Sequence, residues 1–144
     1  MPTPQPTCPI RVGEPCTLCY PGADGPLNCG LVYLVKNDPD LADEWARRYH
    51  HGLRDMPQDL LLADPGPRDM FDDRVYKRGA LTLHALRRTI GDTNFFALLR
   101  DWTTRYRHST ALTDDFTGLA AHYTDQSLRG LWTAWLYTTE LPTL

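Results

Sequence analysis

The sequence holds 144 residues with no cysteine beyond Cys29 and no long apolar run. Without cysteine, residues after 29 cannot be a disulfide framework and must fold on their own core. Leu31 to Val35 and Leu60 to Ala63 are the longest apolar stretches. Neither approaches the roughly 20 residues that span a bilayer, so no membrane partner is expected. The start, M-P-T-P-Q-P-T-C, has no charged leader and no apolar h-region. It does not read as a secretory signal, and the expected location is cytoplasmic. There is no excess of basic charge either, since the net charge is -3. A phosphate-binding face, and with it a nucleic-acid partner, is not expected. An apolar fraction of 42% and a charged fraction of 23% are those of a globular chain,.

What is present divides unevenly. Residues 1–36 form a loop-rich segment that carries Cys8, Cys16, Cys19 and Cys29 among many prolines and glycines. Cys16-Thr-Leu-Cys19 is a C-x2-C knuckle, which points two thiolates at one ion from a short loop. Tetrahedral zinc takes four such ligands at about 2.0–2.3 Å, and Cys8 and Cys29 would complete the set. A segment this poor in large apolar residues needs a metal or disulfides in place of a core. A structural zinc is the first expectation. An iron–sulfur cluster uses the same four thiolates. The thiols could instead serve as disulfides or redox groups, or have no role at all. A closed four-cysteine site is structural, because hydrolytic zinc keeps an open position. Gly30–Val35 reads as a strand or a helix start,.

Residues 37–144 read as helical, so the fold class is mainly α, an antiparallel helical array behind the cysteine segment. Asp38-Pro39 marks a helix start, with Leu41, Trp45, Tyr49 and Leu53 on one face and Pro57 as the stop,. Residues 57–69 read as loop, with Leu60, Leu61 and Leu62 tucked inward. A second helix begins at Asp72-Asp73, runs through Val75, Ala80, Leu83, Leu86 and Ile90, and stops at Gly91,. Asp92 caps a third helix with the stripe Phe95, Leu99, Trp102 and Tyr106, which reads as core. Thr113 caps a fourth with Phe116, Leu119, Ala120 and Tyr123. A fifth carries Leu128, Leu131, Trp132 and Trp135.

The histidines, His50, His51, His84, His108 and His122, form no H-E-x-x-H pair,. The adjacent His50 and His51 read as solvated, and His84 as a packed or surface residue. No G-x-S-x-G elbow and no glycine-rich phosphate loop occurs,.

One stretch carries a more specific signal. Val75-Tyr76-Lys77-Arg78-Gly79-Ala80-Leu81, the Leu86-Arg87-Arg88 that follows, and Gly91-Asp92-x2-Phe95-Phe96 resemble zinc aminopeptidases of the membrane alanyl aminopeptidase and leukotriene-A hydrolase type. Arg100-Asp101-Trp102, the Thr113-Asp-Asp-Phe116 helix start and the Trp135 to Pro142 ending extend the likeness over about residues 42–142. It covers the region that follows the metal site in that family. The resemblance implies a catalytic role for Tyr76, whose phenol would donate to the oxyanion of a tetrahedral intermediate. Tyr76 reads equally well as a buried structural tyrosine near a helix start. The family's H-E-x-x-H helix, third-ligand glutamate and G-x-M-E-N-type motif are not in this sequence. The expectation is therefore a truncated metallopeptidase that does not turn over alone. The alternative is a small four-cysteine zinc protein without enzymatic activity, with an unknown protein partner or self-association. A fusion of two coding fragments is a third possibility.

Overall fold

The computed structural model describes residues 39–144, together with Pro15. The four cysteines and the Gly30–Val35 run lie outside the described residues. The architecture is helical, as expected, with six α-helices and no strand among residues 39–144. They are α1 (Pro39–Arg54), α2 (Gly66–Asp69), α3 (Asp73–Ile90), α4 (Asp92–Arg105), α5 (Thr113–Ala120) and α6 (Arg129–Leu136). A 3-10 turn, Ala121–Tyr123, follows α5.

Helix α3 is the hub and packs against α1, α4 and α6. Its boundaries follow from chemistry legible in the chain. The Asp72 carboxylate accepts the Arg74 N–H at 2.8 Å and so caps the start,. Gly91 ends the helix at φ 80°, and its N–H returns to the Arg87 carbonyl at 2.9 Å. At φ 80°, ψ 160° the backbone is in a region that only glycine enters readily,.

Two apolar clusters lie along α3. One gathers Leu86, Ile90, Phe95, Leu98, Leu99, Leu119, Ala120 and Leu128, bordered by Trp102, Phe116 and Trp132. Trp102 and Phe116 meet edge to face at 5.1 Å. The other gathers Ala46, Leu53, Leu81 and Trp135. Leu131 packs against both. Phe95, Leu81, Leu86 and Leu98 are fully buried, each burial worth about 1.5–3 kcal/mol.

The structure corrects several expectations. On α1 the buried stripe is Ala42, Ala46 and Leu53, while Trp45 and Tyr49 are half-buried and tilted against each other at 5.9 Å. The Leu41 side chain is outside the described part. Of the three leucines at 60–62 only Leu60 is buried, and Leu61 is exposed. The stretch is also not all loop, because Gly66–Asp69 makes one helical turn. Asp92 does not cap α4 with its side chain. The carboxylate turns back to Arg87 instead, at 2.7 and 2.9 Å. Thr113 is the first residue of α5 rather than its cap. That end is satisfied by Asp115, whose carboxylate accepts the Leu112 N–H at 2.7 Å.

The tail after α6 is held by side chains from far upstream. Arg78 is 4% exposed. Its guanidinium donates to the carbonyls of Trp135 at 3.0 Å, Thr139 at 2.7 Å, Ala134 at 3.2 Å and Glu140 at 3.1 Å, and also to Thr138. These acceptors include the unpaired carbonyls at the end of α6, where a cation is favoured. The Gln58 side-chain amide oxygen accepts the Leu141 N–H at 2.9 Å. His50 Nε2 lies 2.6 Å from the Pro142 carbonyl, so of the histidine pair only His51 is exposed as expected.

Candidate functional site

Tyr76 lies in the first turns of α3, and its side chain is 60% exposed. It is not a buried structural tyrosine. Its hydroxyl has no hydrogen-bond partner among the described residues. The helix around it is firmly fixed. Arg74 donates to Asp72 at 3.0 and 2.9 Å, to Asp59 at 2.6 Å and to the Pro57 carbonyl at 2.9 Å. The Arg74 side chain and N–H hold the Asp72 carboxyl below the usual carboxylate range. Lys77 pairs with Asp73 and lies 5.9 Å from the Tyr49 ring. Met70 and Phe71, just ahead of the helix, are also exposed, Phe71 at 77%. The start of α3 thus shows solvent Met70, Phe71 and Tyr76, while Arg78 from the same motif is buried in the tail contacts.

A second constellation joins α1 to α3. His84 is buried, and its Nε2 donates to Asp43 Oδ1 at 3.0 Å. Its Nδ1 is buried with no hydrogen-bond partner among the described residues. Burial pushes the imidazole below its ordinary value, against the opposing pull of Asp43 and with Arg87 and Arg88 adding to the fall. Asp43 also reaches Arg88 Nη1 at 3.6 Å. These side chains line a cleft of about 510 Å³ with Arg47, Leu131 and Trp135. From its sequence position His84 reads as packed or at the surface, with no partner assigned. Asp43 and His84 sit on different helices, so no local spacing signals their meeting.

The helical region that carries the α3 motif is metallopeptidase-like. Residues 48–135 match the peptidase family M1 domain. The match takes in more than half of the chain, and the chain belongs to that family. Residues 1–58 match a domain of unknown function, DUF6767, so the cysteine segment is not from the peptidase family. The two matches overlap at residues 48–58, across the end of α1. No curated protein and no solved structure matches the chain.

The zinc implied by the resemblance needs at least three converging ligands. Among the described residues no three His, Cys, Asp or Glu side chains converge in that way. His84 and Asp43 meet without a third. The described side chains therefore do not fit that metal. Cys8, Cys16, Cys19 and Cys29 lie outside the described residues. No described helix is long and apolar enough to cross a membrane.

Proposed function

We propose that this chain is a partial M1 peptidase domain that works as an interaction module in the reducing cytoplasm rather than as a peptidase on its own. The observation that carries the reading is the exposure of Met70, Phe71 and Tyr76 at the start of α3, inside the M1 match. Large apolar side chains exposed at one helix start mark an interface or an aggregation hazard. The occupant of that surface is a second copy of the chain. The absence of H-E-x-x-H from this sequence supports the same reading, because water activation and carbonyl polarisation come from the metal,. Tyr76 by itself supplies only a neutral donor. Ahead of the helices, Cys8, Cys16, Cys19 and Cys29 hold a structural zinc.

Sedimentation equilibrium over a wide concentration range tests the module. Self-association that weakens in Phe71→Ser is expected, and a strictly monomeric profile would overturn it. Peptidase activity is tested with an aminoacyl-anilide panel and added zinc. No turnover is expected, and chelator-sensitive turnover lost in Tyr76→Phe would restore Tyr76 as a catalytic residue. Elemental analysis should return one zinc per chain, lost in Cys16→Ser.

A further inference from the structure

Helix α1 carries a large aromatic side chain that its packing on α3 does not explain. Ala42, Ala46 and Leu53 are buried, Ala46 and Leu53 in the cluster that holds Leu81 of α3. Trp45 precedes Ala46 and so lies about 100° away from it around the helix. It is half-buried, yet it belongs to neither apolar cluster of the described residues. Its ring meets Tyr49 at 5.9 Å and the Arg48 guanidinium at 4.8 Å, both on α1 itself. The family matches also join this helix to the chain ahead of it. The DUF6767 match runs from residue 1 to residue 58, through the cysteine run and the whole of α1. The M1 match starts at residue 48, so Trp45 lies inside the first unit and outside the second.

We propose that the flank of α1 centred on Trp45 is the docking face for residues 1–36 of the same chain, the cysteine segment. The occupant follows from composition and from attachment. The segment is poor in large apolar residues, and a unit this small needs a wall from outside itself. An indole offers such a wall, with a large apolar area and one N–H donor at its edge. The chain passes from the segment straight into α1 at Pro39, and Trp45 lies about 9 Å further along the axis,. Attachment at that distance makes the contact intramolecular, so docking too weak to hold two separate molecules suffices. The apolar run Leu31–Val35 stands just ahead of the joint and within the same match. A second copy of the chain has no such tether. The contact needs neither the zinc nor the α3 surface proposed above, since it rests on α1 and the chain that enters it.

The test is photocrosslinking in the full chain. The photoreactive residue p-benzoylphenylalanine replaces Trp45, or replaces the exposed Arg47 on the opposite side of α1,. Circular dichroism checks that both proteins fold, and mass spectrometry maps the products of irradiation. From the Trp45 position, crosslinks into residues 1–36 of the same chain are expected, with few from the Arg47 position. No crosslink into that segment, crosslinks that join two chains, or equal yields from both positions would each overturn the proposal. Trp45→Ser gives a second reading. Trypsin cleavage after Arg11 and Lys36 should quicken roughly tenfold in that variant, with the urea midpoint of the helices unchanged. Cleavage at the original rate would count against the docking face, and a lowered midpoint would place Trp45 in the helical core instead.

Discussion

Arg78 Nε donates to the carbonyl of Trp135 at 3.0 Å across 57 residues of sequence. Through that bond and four others, one buried guanidinium closes the end of α6 and fixes the turn that follows. Burial without a carboxylate partner lowers the arginine's pKa, yet the group stays charged because its ordinary value is so high,. The charge is tolerated because the carbonyls solvate it in place of water. In the V-Y-K-R-G-A-L stretch, the arginine therefore ties α3 to the end of α6 and the tail beyond it, whatever the fate of the tyrosine two residues before it.

Replacing Arg78 with methionine keeps the bulk and removes every donor. Several carbonyls then lose their partner in a poorly solvated place. The expected loss is on the order of 3 kcal/mol, read as a lower urea midpoint with the slope unchanged. Arg78→Lys should recover little, since an ammonium cannot reach so many acceptors from one plane. Hydrogen exchange at Tyr137 and Leu141 should quicken in both variants. An unchanged midpoint would show that Leu141 packing, Gln58 and His50 hold the tail without Arg78.

His84 makes stability depend on pH. Its imidazole is held below the ordinary 6.5 by burial first, while the Asp43 charge works the other way and Arg87 and Arg88 lower it further. The unfolded chain therefore takes up this proton more readily than the folded one. Stability is full above about 6.5 and is lost as pH falls below that value toward the folded pKa. Melting temperatures measured from pH 7.5 down to 5.5 should fall. His84→Gln should flatten that slope, and an equally steep slope in the variant would assign it to another group.

How much of this was visible in the chain depends on range. The caps of α3 are local: Asp72 at one end and Gly91 at the other act within a turn of themselves, and both are found where the sequence places them. The Phe95 and Leu99 stripe is equally local, since its spacing alone puts it on one face. Arg78 gave no such signal, because an arginine within a helix reads as polar surface, and its acceptors lie more than fifty residues away. The same limit hid the Asp43–His84 pair. On α1 the bulky Trp45 and Tyr49 suggested the buried face, yet the small Ala42 and Ala46 occupy it. Periodicity identified a helix there and placed Leu53 on its buried face, but it favoured the bulky Trp45 over the neighbouring Ala46.

Asp92 and Arg87 form a second test of a long side chain's role. The guanidinium is nearly buried, it meets the carboxylate with two bonds, and it lies 5.2 Å from the Phe96 ring. The Arg87 side chain is also what holds the Asp92 carboxyl below its usual range. Because that carboxylate is 54% exposed, solvent screens the pair, and Asp92→Asn should cost only about 1 kcal/mol,. The contribution is present above about pH 3.9 and is lost as pH falls toward the lowered value. A double-mutant cycle with Arg87→Met isolates the coupling. A coupling near zero would mean that Phe96 packing, rather than the ion pair, keeps Arg87 buried.

Gly91 and Gly79 separate conformational cost from steric cost. A Cβ placed at either position meets no atom within 4 Å, so neither substitution creates a clash. Gly91 sits at φ 80° in the link between α3 and α4, where an alanine is strained whatever the space around it. Gly91→Ala should destabilise the domain by about 1–3 kcal/mol. Gly79 lies within α3, where alanine restricts the unfolded chain and suits the helix better. Gly79→Ala should stabilise by roughly 0.5–1 kcal/mol. Urea midpoints moving in opposite directions check both. If Gly91→Ala proved neutral, the α3–α4 link would have to adopt another backbone conformation, and the return of the Gly91 N–H to Arg87 would be the first bond expected to change.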